Sequence, residues 1–325
     1  MKKYLYIALA AATLASCSSD DTLDVVQKEA ISFGDAFVEN ATRATDNTYG
    51  AKSLDKFNVY GTVTGNSGTV NIYDGDEVLR PSSLTTGTYD ENTAWEITEI
   101  QYWIAGASYK FAAVVDADNA TTTDANAYGM PTKLTYKSSG QKDLLYAEAS
   151  VASAAASGNG IVKFTFDHLL AKANFTVTNT TNGTNSDYTY TIKDIKITNS
   201  ITEGVYTISS KTWATTSTGE TSFGTISSIG NNKTMTCNTE MLFIPTTGLS
   251  ITYTVELYNG NTLLNTNTYT ASNIEFKAQH AYNFTLNVGL GQEIQFTVTN
   301  APVWTDSDET DTDDYVTVPL TPVQQ

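Results

Sequence analysis

The stretch "IVKFTFDHLLAKANFTV", residues 161–177, decides which fold class the sequence predicts. In its first part, apolar residues at 162, 164 and 166 alternate with polar residues at 163 and 165. Successive side chains of a strand point to opposite faces, so this alternation predicts a strand with one buried face. The same period recurs at 251–258, 282–288 and 294–299. Several half-buried strands are therefore expected.

One further stretch, "DYTYTIKDIKIT" at residues 187–198, changes its parity in the middle. Tyr190 and Ile192 fall on one face of an ideal strand, whereas Ile195 and Ile197 fall on the other. A flat strand would turn the second pair to solvent. We therefore predict a bulge or tight turn near Lys193-Asp194 that returns both apolar pairs to the same face of the sheet.

Composition and turn signals around these strands agree with an all-β fold. Thr, Ser, Asn, Gly and Tyr dominate the 325 residues, and good helix formers are sparse. Turn sequences such as "TGNSGT" at 64–69 and "YNGN" at 258–261 separate short strands, which favours β-sandwiches. A split near residues 168–171 leaves two halves of similar size, each long enough for its own core.

The N-terminus, "MKKYLYIALAAATLASC", predicts export. Its apolar run is shorter than the roughly 20 residues that span a bilayer, which indicates a secretory signal and not a transmembrane helix. Leu14 to Cys17 resembles a bacterial lipobox, which predicts lipidation of Cys17 and removal of residues 1–16. The alternative is an ordinary signal peptide with a chance cysteine. Ser18 follows, not the Asp of inner-membrane retention, and "SSDD" at 18–21 resembles the acidic surface-export signal of some bacterial lipoproteins. We therefore expect a surface-exposed outer-membrane lipoprotein.

The charge of the chain excludes two classes of partner. The formal net charge is −17. Removing residues 1–16 takes away two lysines and no acids, which brings the charge to about −19. Such a chain repels nucleic acid and anionic membrane surfaces. Cys237 then remains as the only unmodified thiol, without a partner for an internal disulfide.

No residue pattern points to catalysis or to a metal. His168 and His280 lie far apart in sequence, and we expect both to be structural. Two histidines and one cysteine match no familiar zinc spacing, and no nucleophile elbow, P-loop or H-E-x-x-H occurs. Tyr102, Trp103 and Tyr109 could stack on a sugar but are predicted to be core and strand residues. We therefore expect no catalytic residue, no metal, no cofactor and no enzyme activity.

An ordered series of stretches resembles a known family. It includes "ISFGDAF" at 31–37, "AWEITEIQYWIAGASYKFAAVV" at 94–115, "VKFTFDHLLAK" at 162–172 and "HAYNFTLNVGLGQEIQFTVTNAPVW" at 280–304. This series resembles the fimbrillin-like proteins of Bacteroidales, the subunits of type V pili (fimbriae), over roughly residues 28–304. The resemblance implies two tandem transthyretin-like β-sandwich domains, assigned to residues 44–168 and 169–304.

The resemblance also implies a maturation route. Subunits of this family reach the outer membrane as lipoproteins, and an arginine-specific protease then removes the leader with its first strand, here residues 17–43. Arg43-Ala44 is the expected cleavage bond, because the only other arginine, Arg80, precedes a proline. The alternative is that Arg43 is a plain loop residue, and some anchor subunits of the family stay lipidated.

The displaced strand is expected to carry Ile31, Phe33 and Phe37 on one face. Its removal would open a groove that a strand of a neighbouring subunit fills, which is donor-strand exchange. The expected donor lies in the tail, residues 305–325, where Val316, Val318 and Leu320 share a face. The acidic run before it would be a linker. A simply solvated tail is the alternative, and an EF-hand is disfavoured because its glycine and final glutamate are missing.

These expectations together predict a structural pilus subunit with a role in adhesion. Its partners would be other pilin subunits, the outer membrane through the lipid anchor, and surface glycans or proteins of a host or microbe. After maturation it would lie in the fimbria. The alternative is a monomeric glycan-binding surface lipoprotein that never polymerises.

Overall fold

The computed structural model describes residues 29–38, 54–84, 93–115, 120–155, 158–181, 187–237, 240–301, 316–320 and 323–324. Throughout these ranges the regular structure is strand, apart from one 3-10 turn, η1, at Ser138–Gly140. The prediction of an all-β fold is therefore confirmed. No helix in the described ranges is long and apolar enough to cross a bilayer.

Nine strands belong to the first half of the chain. In order they are β1 Ser32–Val38, β2 Lys56–Gly65, β3 Gly68–Leu79, β4 Glu96–Ile97, β5 Ser108–Val115, β6 Ala120–Ala125, β7 Pro131–Lys137, β8 Leu145–Val151 and β9 Ile161–His168. The second half contributes β10 Ala171–Asn179, β11 Tyr188–Thr207, β12 Thr212–Ile229, β13 Lys233–Thr236, β14 Met241–Phe243, β15 Thr246–Asn259, β16 Thr262–Phe276, β17 Ala281–Val288, β18 Gln295–Ala301, β19 Val316–Leu320 and β20 Val323–Gln324.

In the described ranges these strands form three sheets. The first has the order β1-β9-β8-β5-β2-β3-β4. The second has the order β13-β10-β17-β18-β19, and β14 also pairs with β10. The third has the order β20-β16-β15-β11-β7-β6, and β12 also pairs with β11.

An aromatic core fills the first half. The inward residues of β9 follow the predicted alternation, since Val162, Phe164 and Phe166 are all buried. Phe111 from β5 and Phe57 from β2 belong to the same cluster. The inward side chains of the first sheet thus pack against one another and against Trp95 and Trp103, which lie outside its strands.

The second half has a separate core between the second and third sheets. Phe175 and Phe296 come from the second sheet and face Tyr253 of the third, with ring centroids 6.0 Å and 5.0 Å from it. Two sheets that bury their inner faces against each other form a β-sandwich.

A third apolar cluster, which we call the junction, joins the two halves. It combines Val114 and Leu144 of the first half with Leu170, Leu242 and Ile244 of the second. The hairpin β6–β7 adds backbone pairing, because β7 hydrogen-bonds to the end of β11 and so extends the third sheet. The domain boundary at residues 168/169 stays a prediction.

The predicted interruption of the strand at 188–207 is present. The pairing of β11 with β15 shifts register between Lys193 and Lys196, and Asp194 adopts a φ of 54°. Ile192 and Ile195 are consequently both fully buried, although they have opposite parity. The bulge at Asp194 lets one strand keep its apolar residues inside on both sides of the shift.

Each half has one end at the junction and one distal end. In the first half, β5 runs from Ser108, at the distal end, to Val114 in the junction. In the second half, β15 starts next to the junction and is 14 residues long, so its far end lies about 45 Å away at 3.3 Å per residue. We call these the first and second distal ends.

Candidate functional site: strand β1 and its slot

Strand β1 is inserted between two other parts of the first half. On one side it pairs in parallel with β9, with Ser32 opposite Ile161. On the other side lies the antiparallel segment 93–104, which we call the rim segment; Tyr102 bridges to Ala30 there. The rim segment contains β4, which pairs with β3 at the far edge of the sheet. Strand β1 is one edge of the first sheet, and it therefore lies against the segment that carries the opposite edge strand, β4.

Backbone hydrogen bonds hold β1 to the rim segment. The amide of Ile31 donates to Gln101 O at 2.8 Å, the amide of Trp95 donates to Phe33 O at 2.7 Å, and the amide of Trp103 donates to Glu29 O at 3.0 Å. Removal of β1 would leave these rim-segment groups, and the outer edge of β9, without their present partners.

The inward face of β1 completes the aromatic core. Phe33 is 0% exposed and Ile31 is 2% exposed. The ring of Phe33 lies 5.3 Å from that of Tyr73, 5.5 Å from that of Phe111 and 6.0 Å from that of Phe164. Aromatic pairs at these separations add attraction beyond the area that they bury. Phe33 is thus surrounded by rings from three other strands.

Gly34 lets β1 approach its neighbours closely. A Cβ at this position would lie 2.7 Å from Thr93 O and 2.9 Å from the Cγ2 atom of Ile161. The first contact is with backbone, which cannot rotate away. Register shifts between Gly34 and Phe37 in the pairing with β9. Only glycine therefore fits between β9 and the rim segment without displacing one of them.

The slot, by which we mean the space that β1 fills between β9 and the rim segment, is a low-polarity environment. Burial raises the pKa of Tyr73 above its ordinary value of 10.0. Burial likewise raises the pKa of Tyr109, which packs on Trp103 with ring centroids 4.7 Å apart. Both phenols are neutral at physiological pH, so the slot suits apolar side chains and presents no charge to them.

Several predicted site residues lie outside the described ranges. These are Cys17, Arg43 and Ala44. The backbone of Phe37 pairs with Thr165, but its side chain is outside the described residues. The roles predicted for these residues stay predictions.

The predicted donor strand forms β19 within its own chain. It pairs antiparallel with β18, with Val316 opposite Asn300, Val318 opposite Val298 and Leu320 opposite Phe296. Pro319 lies opposite Thr297 on this edge strand, where a missing N–H is tolerated. Two residues of β20 then pair with Tyr269 and Thr270 of β16. The tail thus runs along the open edges of the second half.

The aromatic residues considered for sugar stacking separate into two groups. Trp103 and Tyr109 are buried, as expected for core residues. The expectation is wrong for Tyr102, which is 48% exposed. Neighbouring residues of an extended segment point to opposite faces, so Trp103 turns inward and Tyr102 turns outward.

Groups that often mark catalytic or metal sites have structural surroundings here. The Nδ1 atom of His168 lies 2.6 Å from Oδ2 of Asp143, and both residues are buried. Burial raises the pKa of the Cys237 thiol to about 11, so the thiol is protonated and unreactive. Within the described residues, no three His, Cys, Asp or Glu side chains are grouped to hold a metal ion.

Sequence reasoning missed the rim segment and Gly34 as parts of this site. The rim segment is apolar at nearly every position from Ile100 to Ile104, so its alternation did not reveal which residues point inward. Gly34 interrupts an alternating strand, and such a glycine often marks a close backbone approach. That signal was available in the sequence.

Comparison with known proteins places this fold in a family. The fimbrillin-like family matches residues 42–302, and a prokaryotic membrane lipoprotein lipid attachment site matches residues 1–18. No curated protein sequence matches the chain.

Solved structures also resemble it. A fimbrial protein from Bacteroides vulgatus is 17% identical with a TM-score of 0.59, over 85% of this chain and 99% of that one. A candidate cell adhesion protein from Bacteroides uniformis is 16% identical with a TM-score of 0.48, over 86% and 99%. The fimbrial anchor protein Mfa2 from Porphyromonas gingivalis is 12% identical with a TM-score of 0.33, over 88% and 95%. The family match covers most of the chain, and the chain therefore belongs to the fimbrillin-like family.

Proposed function

We propose that the chain is the precursor of a type V pilus subunit that polymerises by donor-strand exchange and contributes to adhesion. In this proposal Cys17 anchors it to the outer membrane until cleavage after Arg43 releases the leader together with β1. The observation that carries the proposal is the position of β1, which is paired on both sides and buries Phe33 in the core.

The free-energy cost of an empty slot favours replacement of β1 by another strand over removal of β1 alone. Emptying the slot exposes apolar surface at a cost of about 25 cal/mol per Å². Each buried backbone group left unpaired costs about 1–3 kcal/mol more. A strand from a second copy would cover the apolar surface and pair the free groups again, so assembly needs no nucleotide hydrolysis.

The surroundings of Arg80 support Arg43 as the processing site. The guanidinium group of Arg80 forms an ion pair with Asp55, and its side chain is only 7% exposed. The amide of Arg80 also donates to Asp55 O at 2.8 Å. A protease must pull its substrate into an extended conformation, which would break these contacts. Arg43 is the other arginine of the chain.

The course of the tail supports its role as donor. Strand β19 runs from Val316 to Leu320 away from the junction and toward the second distal end, since Ala301, at the junction end of β18, lies opposite junction residue Ala281. Strand β1, in contrast, begins at the first distal end. Fourteen residues separate Ala301 from Val316 in the sequence and could span about 50 Å when extended. A tail released from β18 could therefore extend past the second distal end and enter the slot of the next copy.

Two separate cores support the proposed pair of tandem transthyretin-like domains, 44–168 and 169–304. One core holds residues from 31 to 166 and the other holds residues from 171 to 298. Copies of the chain are the first partners that this proposal requires. Surface glycans or proteins of a host or microbe would be the targets of the assembled fimbria.

Mapping the N-terminus of surface material by mass spectrometry tests the proposal. The wild-type chain should start at Ala44 and form laddered oligomers. The variant Arg43→Lys should keep the lipidated Cys17 terminus and stay monomeric, whereas Arg80→Lys should be processed normally. Strict monomers of the wild type with a Cys17 terminus would contradict polymerisation. Normal processing of Arg43→Lys would remove Arg43 from the mechanism.

A further inference from the structure

An apolar stripe lies on the outer face of the rim segment. Ile100 is 57% exposed, Tyr102 is 48% exposed and Ile104 is 57% exposed. They alternate with Gln101 and with buried Trp103, so the three exposed side chains point away from the core. Contiguous apolar surface on a soluble protein often marks an interaction site.

The stripe lies where the slot of β1 opens. Tyr102 bridges to Ala30, which lies two residues before β1 begins, and the amide of Ile104 donates to the hydroxyl of Tyr109 at 2.6 Å. Tyr109 is the second residue of β5 and belongs to the first distal end. Any strand that enters the slot from outside the molecule therefore passes directly beside the stripe.

A second exposed apolar pair lies at the second distal end. Leu263 is 47% exposed and Leu264 is 50% exposed. Tyr258 pairs with Leu263 while Leu257 pairs with Asn265, so Leu264 is an extra, bulged residue of β16. A bulge turns its side chain out of the regular sheet pattern, and here it presents a leucine to solvent.

The two apolar surfaces differ and lie on opposite ends of the chain. Contact between unlike surfaces of identical copies is heterologous, and when the rotation does not close it produces an open filament. We infer that the stripe Ile100/Tyr102/Ile104 of one copy packs on Leu263 and Leu264 of the next copy. This inference rests on the proposed polymerisation, because transfer of the tail into the slot brings these two ends together.

Introducing opposite charges on the two sides of the contact tests the inference, with full-length chains produced on cells. Ile104→Lys alone should lower the yield of polymer about tenfold, and so should Leu263→Asp alone, because each buries a charge in an apolar contact. The double variant pairs the two charges and should recover most of the yield. Leu79→Lys is the matched control, since Leu79 is 41% exposed but pairs with Glu96, away from both distal ends.

The outcomes separate this contact from strand exchange itself. If wild-type chains form no polymer, both the polymerisation proposal and the contact are overturned. If they polymerise and neither single variant changes the yield, the contact alone is overturned. Loss in both single variants without recovery in the double variant would also overturn the direct pairing. Each variant must keep the thermal unfolding midpoint of the wild type, which is expected because all three residues are exposed.

Discussion

The carbonyl of Phe33 accepts a 2.7 Å hydrogen bond from the amide of Trp95, while the ring of Phe33 is completely buried. One residue thus ties β1 to the rim segment through its backbone and to the core through its side chain. Both connections would have to be remade by any strand that replaces β1.

Phe33→Ala should destabilise the chain by about 3–5 kcal/mol, because it leaves a cavity among the surrounding aromatic rings. Urea unfolding followed by intrinsic fluorescence measures the effect. Tyr102→Ala is the control, since an exposed side chain should change the free energy of unfolding by no more than about 0.5 kcal/mol. Equal losses in the two variants would contradict the buried position of Phe33.

Gly34→Ala should push β1 away from the rim segment, because its Cβ would lie 2.7 Å from Thr93 O. Overpacking of this kind costs about 1–3 kcal/mol. Hydrogen exchange at the amides of Ile31 and Trp95 should accelerate. Gly65→Ala is the matched control, since a Cβ there meets nothing within 4 Å. Unchanged exchange in Gly34→Ala would rule out the close approach.

Asp143→Ala should destabilise the fold by about 1–3 kcal/mol, because it removes the 2.6 Å contact to buried His168. Asp124→Ala provides the comparison. Asp124 makes a 2.7 Å ion pair with Lys133, but both side chains are exposed, so about 1 kcal/mol or less is expected. Thermal unfolding of the two variants tests the difference, and a larger loss for Asp124→Ala would refute it.

Tyr253→Phe should make the chain more resistant to alkali. Burial raises the pKa of Tyr253 in the folded chain above 10.0. The neutral phenol therefore contributes its full share to the free energy of unfolding below pH 10.0, and this share is lost as the pH rises through the folded-state pKa. Among the described residues, its hydroxyl has no hydrogen-bond partner, so stability near neutral pH should be equal or higher. Urea midpoints at about pH 7 and about pH 11 measure both effects. An equal fall of the urea midpoint with pH in the wild type and in Tyr253→Phe would contradict this role of Tyr253.

Cys237 should resist thiol reagents in the folded chain, because burial raises the pKa of its thiol to about 11. Maleimide labelling near pH 8 should be slow until denaturant unfolds the second half. Rapid labelling of the native chain would show that the thiol is accessible.

Patterns within single strands were predictable from the sequence. Alternation at 161–167 assigned Phe164 and Phe166 to the core, and the change of parity after Ile192 located the bulge at Asp194. Both features depend only on residues that are neighbours in the sequence, so they can be predicted from the sequence alone.

Pairing between distant strands was not predictable in the same way. Nothing near Ser32 indicates that its parallel partner is Ile161, and nothing in β7 shows that it joins the third sheet. The exposure of Tyr102 was missed because residues 100–104 are apolar on both faces, which leaves no polar side to mark the surface. The expectation that β1 is displaced came from the resemblance to a family, because no local pattern predicts it.

The parallel pairing of β1 with β9 has a consequence for biogenesis. Synthesis proceeds from the N-terminus, so β1 emerges early, but the strand that it pairs with follows about 130 residues later. Such long-range closure is slow, and apolar surface stays uncovered meanwhile. The first strand to be made is therefore paired only after the rest of the first half has followed it, and its apolar residues wait for their cover until then.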